Sequence, residues 1–367
     1  MNRNKIIIKT SIKGILVNIL LVAFKIIVGL FSNSIAIILD AINNLSDALS
    51  SIITIIGTKL ASKKADKKHP YGYGRIEYLT SIIISVIVLF AGITSFRESL
   101  SKIINPEKTN YTFIMLIIIG IAIIVKYFFG IYVKKVGEKI NSTSLVASGT
   151  DAYMDSFLSL STLIAAIVSI IFHISIEGYI GILISTIIIK SAVEMLIDAI
   201  NPIIGERADQ DLIIKLKKVI NSFNEVEGCY DLTLHNYGPT DIIGSVHIQV
   251  DDNMKAKEIH ALTKKIQAKV MSDFGVIITV GIYASNNSKK EYQIIKDDLN
   301  KISKKYSNIK QIHGFYVDSK TNIITFDMIF DYDTSNSEII KEEIIKELKS
   351  KYPKYEYYIV IDNDFSD

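Results

Sequence analysis

The sequence predicts an α-helical membrane protein, a six-transmembrane-helix bundle followed by a cytoplasmic α+β domain that is then duplicated. Three observations carry this expectation. Of the 367 residues, 49% are hydrophobic and 22% charged, with a mean hydropathy of +0.32, too apolar for an ordinary soluble domain and too charged for a purely membrane one. Charges are sparse up to about Pro202 and dense from Glu206 onward. Beyond residue 211 the order helix, strand, strand, helix, strand can be read twice.

A hydrocarbon core about 30 Å thick takes roughly 20 apolar residues per helix. Six stretches qualify: 14–31, 35–61, 78–93, 113–133, 145–172 and 179–200. Arg3, Lys5, Lys9 and Lys13 precede the first run, which is too long for a signal-peptide core and lacks a small-residue cleavage site, so it reads as a retained span. Lys and Arg gather at the N-terminus and in 59–75 and 134–139, whereas 32–34 has none and 97–108 offsets its few with Glu98 and Glu107. The positive-inside rule then puts both termini in the cytoplasm, and a multi-pass protein of the plasma membrane is expected.

The soluble part divides at about residues 206–284 and 289–367, after a membrane domain over 1–205. The first lobe reads as 211–223 helix, 229–237 and 241–250 strands, 255–274 helix and 276–283 strand. Ser285 to Ser288 is a polar linker. The second lobe reads as 292–306 helix, 311–317 and 322–330 strands, 337–352 helix and 355–361 strand, with no catalytic constellation.

Composition excludes several classes. A net charge of +3 with no basic stripe gives no reason to expect nucleic acid. The single cysteine, Cys229, rules out an intrachain disulfide, a zinc ribbon and an iron–sulfur cluster, so a metal here must use oxygen and imidazole donors. There is no P-loop, nucleophile elbow or zinc-protease motif, so neither an enzyme nor an ATP-driven pump is expected, and no permanently bound cofactor.

The polar residues inside the spans are the informative ones. Span two carries Asp40, Asn43, Asn44 and Asp47, and span five Asp151 and Asp155. An Asp at a helix centre costs about 2.5–3.5 kcal/mol on insertion scales, so four cost roughly 10 kcal/mol, which a structural role does not readily explain. Asn43 and Asp47 are four apart, as are Asp151 and Asp155, so each pair shares a helix face. Facing each other, the two helices would bring four oxygen ligands to one point. The alternative is that these carboxylates pair with Lys25, Lys126 or Lys190, or line a water-filled pore. Lys190 and Glu194, also four apart, read as a mutually neutralising pair.

After span two comes Asp66-Lys-Lys-His69-Pro-Tyr-Gly72-Tyr73-Gly74-Arg75-Ile-Glu77. This His-Pro-x-Gly-x-Gly-basic-x-Glu run, together with the paired acidic positions of spans two and five, resembles the cation diffusion facilitator family of divalent-metal transporters, over about residues 15–283. The resemblance implies proton-coupled efflux of a divalent metal by alternating access, through a tetrahedral site between spans two and five. The matching positions here are Asn43, Asp47, Asp151 and Asp155. Zinc-type members commonly place His at the first position of at least one pair, and Asn there with Asp-x-x-x-Asp in span five looks like the manganese-exporting branch. The donor chemistry agrees, since three carboxylates and an amide carbonyl suit a hard ion such as Mn²⁺, while Zn²⁺, Fe²⁺ and Co²⁺ stay open. Asp40, one turn from Asn43, is a candidate for the cation or proton path, or else a packing residue. A membrane-tethered metal sensor without turnover is the alternative of a different class.

A loop site in the family would use Asp66, His69 and the position of Tyr73; members that bind metal there have His at the last of these, which makes His69 structural on this reading. Arg75 matches a basic residue that can pair with an acidic one after span six, here Glu206. The soluble part resembles the family's metallochaperone-like domain, which commonly dimerises, so the resemblance implies a homodimer. The family's dinuclear zinc site should be absent, because Tyr230 stands at one of its positions and the strand 277–283 has no His. His235, His247 and His260 are candidates for a different cytoplasmic cluster, or are three separate surface residues.

Overall fold

The computed structural model describes residues 3–31, 48, 50–105, 113–172, 177–286 and 289–362. The chain forms two compact units, Met1–Glu206 with Asn236–Asp241, and Arg207–His235 with Ile242–Asp367.

The first unit is helical: α1 (Arg3–Phe31), α2 (Ser50–Ala61), α3 (Ile76–Ile104), α4 (Phe113–Lys139), α5 (Thr143–Phe172) and α6 (Glu177–Ile204). Within α1, α3, α4 and α6, the segments Arg3–Ile27, Ile76–Ile104, Leu116–Lys139 and Gly178–Ile204 are long and apolar enough to cross a bilayer. Their side-chain distribution is that of a protein in lipid. Leu20, Phe90, Phe128 and Leu183 are exposed, while Thr54, Thr58, Ser81, Ser85 and Ser185 are buried between helices. Those hydroxyls are satisfied locally: Thr58 donates to the Thr54 carbonyl at 2.7 Å and Ser85 to the Ser81 carbonyl at 2.8 Å. α4 packs along α5 and α3 along α6.

The helices run past the hydropathy windows. α1 starts at Arg3, not residue 14, and α4 continues through Lys134 and Lys135 to Lys139. Hydropathy measures the hydrocarbon thickness, whereas a helix continues into the headgroup region as long as its backbone bonds persist.

The second unit holds two lobes of the same element order. The first comprises α7 (Gln210–Ile220), β1 (Gly228–Asn236), β2 (Ile242–Asp251), α8 (Ala256–Phe274) and β3 (Val276–Ser285). The second comprises α9 (Lys290–Ser303), β4 (Ile309–Asp318), β5 (Ile323–Phe330), α10 (Ser337–Lys351) and β6 (Glu356–Asp362). Their sheets run β1-β2-β3 and β4-β5-β6, with β2 parallel to β3 and β5 parallel to β6. Alternation decides which face is covered. Val246, Ile248 and Val250 of β2 join Leu216 of α7 and Leu262 and Ile266 of α8 in one core. Phe326 and Met328 of β5 join Leu299 of α9 and Ile344 of α10 in the other. The residues between them, His247 in β2 and Asp327 in β5, therefore lie on the faces away from the helices. Capping closes the elements: the Asp209 side chain accepts from the Leu212 N–H at 2.9 Å at the start of α7, and Gly275, at φ +70°, ends α8.

Candidate metal centre

The helical unit presents Asp151 and Asp155 one turn apart on α5. What surrounds them follows from how closely α4 can approach. A Cβ on Gly149 would lie 2.4 Å from the Lys134 backbone nitrogen, and one on Gly130 would lie 2.6 Å from that of Tyr153, so only glycine permits this backbone contact. Lys126, Gly130 and Lys134 are four apart and share one face of α4. The close approach thus carries Lys126 onto α5, where its buried ammonium forms an ion pair with Asp155 Oδ2. From α2, Ser50 Oγ donates to Asp151 Oδ2 at 3.2 Å. The two carboxylates of α5 are therefore held from opposite neighbours, Asp151 by α2 and Asp155 by α4.

The span-two positions Asp40, Asn43 and Asp47 lie outside the described residues. Of the lysines weighed as partners, Lys126 takes Asp155, Lys25 is buried on α1, and Lys190 sits 3.7 Å from Glu194 on an exposed side of α6.

In the loop before α3, Asp66, His69 and Tyr73 come together, but as an exposed hydrogen-bonded staple. Asp66 Oδ1 accepts the N–H groups of Lys68 (3.0 Å) and His69 (2.8 Å), and Oδ2 accepts from the Tyr73 hydroxyl (2.7 Å) and Lys63 (3.3 Å). The Tyr73 hydroxyl, followed by the His69 N–H, holds the Asp66 carboxyl well below the usual carboxylate range. Both oxygens are already engaged, which favours the structural role for His69. Arg75 takes the Asn236 carbonyl at 3.0 Å and the face of the Tyr237 ring, not the expected Glu206. The carbonyl accepts one guanidinium N–H, and the aromatic face attracts the cation.

The last residue of the motif, Glu77, is only 1% exposed and is gripped by Arg3 of α1 through two contacts of 2.8 Å. Arg3 also donates to the carbonyls of Ile140 (2.8 Å) and Asn141 (2.7 Å), tying α1, α3 and the α4–α5 turn together. Its position among the basic residues ahead of the first span gives no sign of this role.

His235, His247 and His260 do not assemble into one cluster. His235 is four residues from Asp231 along β1, about 13 Å at strand rise, and is exposed. His260 is exposed on α8, the helix that covers the face opposite His247. His247 instead meets Asp231, Nδ1 to Oδ2 at 2.9 Å. Hydrogen bonding to that carboxylate, against the opposing effect of burial, raises the His247 pKa above its ordinary value. The histidine that does approach this place is His313 of the second lobe, which no sequence motif singles out.

Comparison with known proteins accounts for the helical unit and the first lobe. Residues 11–204 match the cation efflux transmembrane domain and 208–282 the cation efflux protein cytoplasmic domain. An uncharacterized transporter of Methanocaldococcus jannaschii is 32% identical over 267 residues, covering 72% of this chain and 93% of its own. The magnetosome protein MamB of Magnetospira sp. (strain QH-2) is 26% identical, covering 69% of this chain and 88% of its own. The manganese efflux system protein MneP of Bacillus subtilis is 22% identical, covering 77% and 97%. The second lobe falls beyond both matched domains. With both domains matched in order across the helical unit and the first lobe, the chain belongs to the cation efflux, or cation diffusion facilitator, family of membrane metal transporters.

Proposed function

We propose that this protein exports Mn²⁺ from the cytoplasm in exchange for protons, as a homodimer in the plasma membrane with both termini inside. The transport site is formed by Asn43, Asp47, Asp151 and Asp155, with Asp40 on the cation or proton path. The observation that carries this reading is the paired carboxylates of α5, with Asp151 turned to α2 at Ser50. In sequence, Asp47 and Asn43 precede Ser50 by three and seven positions, the spacing of one helix face. Three carboxylates and one amide carbonyl offer only oxygen to the cargo, which suits Mn²⁺ better than ions that favour imidazole.

The Lys126–Asp155 ion pair fits an exchange mechanism. A carboxylate buried in a low-dielectric bundle needs a counter-charge, and Lys126 supplies one whenever cargo is away. A divalent ion, with twice the charge, displaces the ammonium; protons arriving from the other side neutralise the carboxylates in coupled steps and release the ion. Manganese efflux by the related MneP supports the choice of cargo.

The test is metal flux in proteoliposomes with and without an opposing pH gradient. Mn²⁺ flux that the gradient enhances, and that Asp151→Ala, Asp155→Ala and Asp47→Ala each abolish, is the expected result. Transport retained in two of the three variants refutes the site. Zn²⁺ flux exceeding Mn²⁺ flux refutes the selectivity argument, and Asn43→His should shift the ratio toward Zn²⁺.

A further inference from the structure

The helix-free face of the first lobe's sheet carries Asp231, His247 and Tyr283, and that of the second carries His313 and Asp327. These five side chains converge. Asp231 Oδ1 lies 2.7 Å from His313 Nε2, which is 3.9 Å from Asp327 Oδ2. The Tyr283 hydroxyl bridges the carboxylates, 2.7 Å from Asp231 Oδ2 and 2.9 Å from Asp327 Oδ2. One ligand atom each from Asp231, His313 and Asp327 falls within 4.8 Å of the others, and among the described residues no other group of three His, Cys, Asp or Glu does so.

Local geometry is built around this point. The His313 side chain has 0% exposure; its Nε2 pairs with Asp231 Oδ1 at 2.7 Å, while its buried Nδ1 has no hydrogen bond. Buried polar atoms are nearly always paired. An imidazole and two carboxylates, drawn from both lobes, thus place their donor atoms within reach of one point. The Tyr230 ring stacks on His313 at 5.2 Å and 7°, fixing the imidazole plane. A bulge in β4 follows His313, with Gly314 at φ +64°; a Cβ there would stand 3.0 Å from Asp327 Oδ2 and 3.1 Å from Tyr283. Gly281, opposite His247 in the β2–β3 register, leaves room for that ring: a Cβ there would lie 2.2 Å from His247 Cδ2. Asp231 itself has φ +52°, a backbone conformation that is uncommon outside glycine.

We propose that Asp231, His313 and Asp327 bind a divalent transition-metal ion that joins the two soluble lobes, with Tyr283 and His247 orienting the carboxylates. One imidazole and two carboxylates make a donor set for Mn²⁺, Fe²⁺, Co²⁺ or Zn²⁺, and a poor one for Mg²⁺. Two of the three ligands come from β4 and β5, beyond the matched cytoplasmic domain, so the second lobe completes a site that the first lobe alone cannot form.

The experiment is Mn²⁺ titration of the chelator-stripped full-length protein in detergent, followed by electron paramagnetic resonance with pulsed detection of imidazole nitrogen. The membrane site proposed above has no imidazole donor, so this coupling reports the lobes alone. The expected result is one imidazole-coupled Mn²⁺ per chain, lost in His313→Ala and weakened at least tenfold in Asp327→Asn. Tyr283→Phe, which removes an outer partner only, should weaken it about 10- to 100-fold. Circular dichroism checks folding, and if His313→Ala misfolds, Asp327→Asn decides, since it exchanges one atom. Wild-type protein with no imidazole-coupled ion at millimolar Mn²⁺, and no Zn²⁺ equivalent that Asp327→Asn removes, overturns the proposal. So does coupling that survives both variants, or that only His247→Ala abolishes.

Discussion

Replacing Arg3 by alanine should be among the most damaging single changes at the ends of the helical unit. The substitution removes both contacts to the Glu77 carboxylate at 2.8 Å and those to the carbonyls of Ile140 and Asn141 at 2.8 and 2.7 Å. Glu77 is 1% exposed, so water cannot take over. Breaking a buried pair by deleting one partner costs about 3–5 kcal/mol, most of it from the charge left behind. Arg3 retains 19% exposure, which places the expectation at the lower end, about 3 kcal/mol. The assay is a double-mutant cycle of Arg3→Ala, Glu77→Gln and the pair, with unfolding in mixed micelles followed by circular dichroism. Adding Glu77→Gln to Arg3→Ala should restore at least half of the loss, because no uncompensated carboxylate remains. Arg3→Ala within about 1 kcal/mol of wild type, the ordinary level of an exposed pair, or an additive cycle, would refute the reasoning.

Lys126→Met removes the counter-ion of Asp155, so the metal-free protein should lose stability while Mn²⁺ raises its melting temperature by more than it does for wild type; an equal or smaller rise would count against competition between ammonium and metal. Gly149→Val should push α4 from α5, since even a Cβ would stand 2.4 Å from the Lys134 nitrogen, at a cost of about 1–3 kcal/mol and with reduced transport; unchanged melting and flux would show the approach to be dispensable. Asp298 is contacted by Lys351 and by the Tyr352 hydroxyl at 2.5 Å, which lower its pKa from 3.8 to about 2. A carboxylate depressed in the folded state stabilises fully above its unfolded pKa and loses that contribution as pH falls through the folded one. The stability difference between wild type and Asp298→Asn should therefore hold above pH 3.8 and shrink as pH falls toward about 2, with Lys351→Met moving the window upward; a difference independent of pH would refute the assignment.

Most of the fold was legible because its signals are local. Twenty-residue apolar runs report helices in lipid, and the alternation Ser245-Val-His247-Ile-Gln-Val reports which face of β2 is buried. The second lobe could be read for the same reason, by the recurrence of that local order. What escaped depends on long-range pairing. Arg3 and Glu77 are 74 positions apart, and nothing near either marks it as the other's partner. His313 and Asp327 lie in a β4–β5 hairpin with no metal spacing between them; they become neighbours of Asp231 only when two open sheet faces meet. Spacing offers His235 on the adjacent strand and His260 on the next helix as partners of His247, whereas the histidine nearest Asp231 beside it arrives from the following lobe. Lys126 was legible as one of three lysines, but choosing it required knowing that Gly130 and Gly149 let α4 and α5 touch.

The passage from β3 to α9 is short, Asn286 to Lys289, and it begins pinned. Asn286 is 8% exposed, its side chain accepts the Val317 N–H of β4, and its carbonyl accepts from Gln293 at 3.3 Å. A partner joined through so few residues is present at an effective concentration of millimolar or more, whatever the number of molecules in the cell. Contacts between two chains thin out when expression falls, but contacts between these lobes do not. Whatever the second lobe contributes to the first is thus available to a single newly made chain, before it has met another copy.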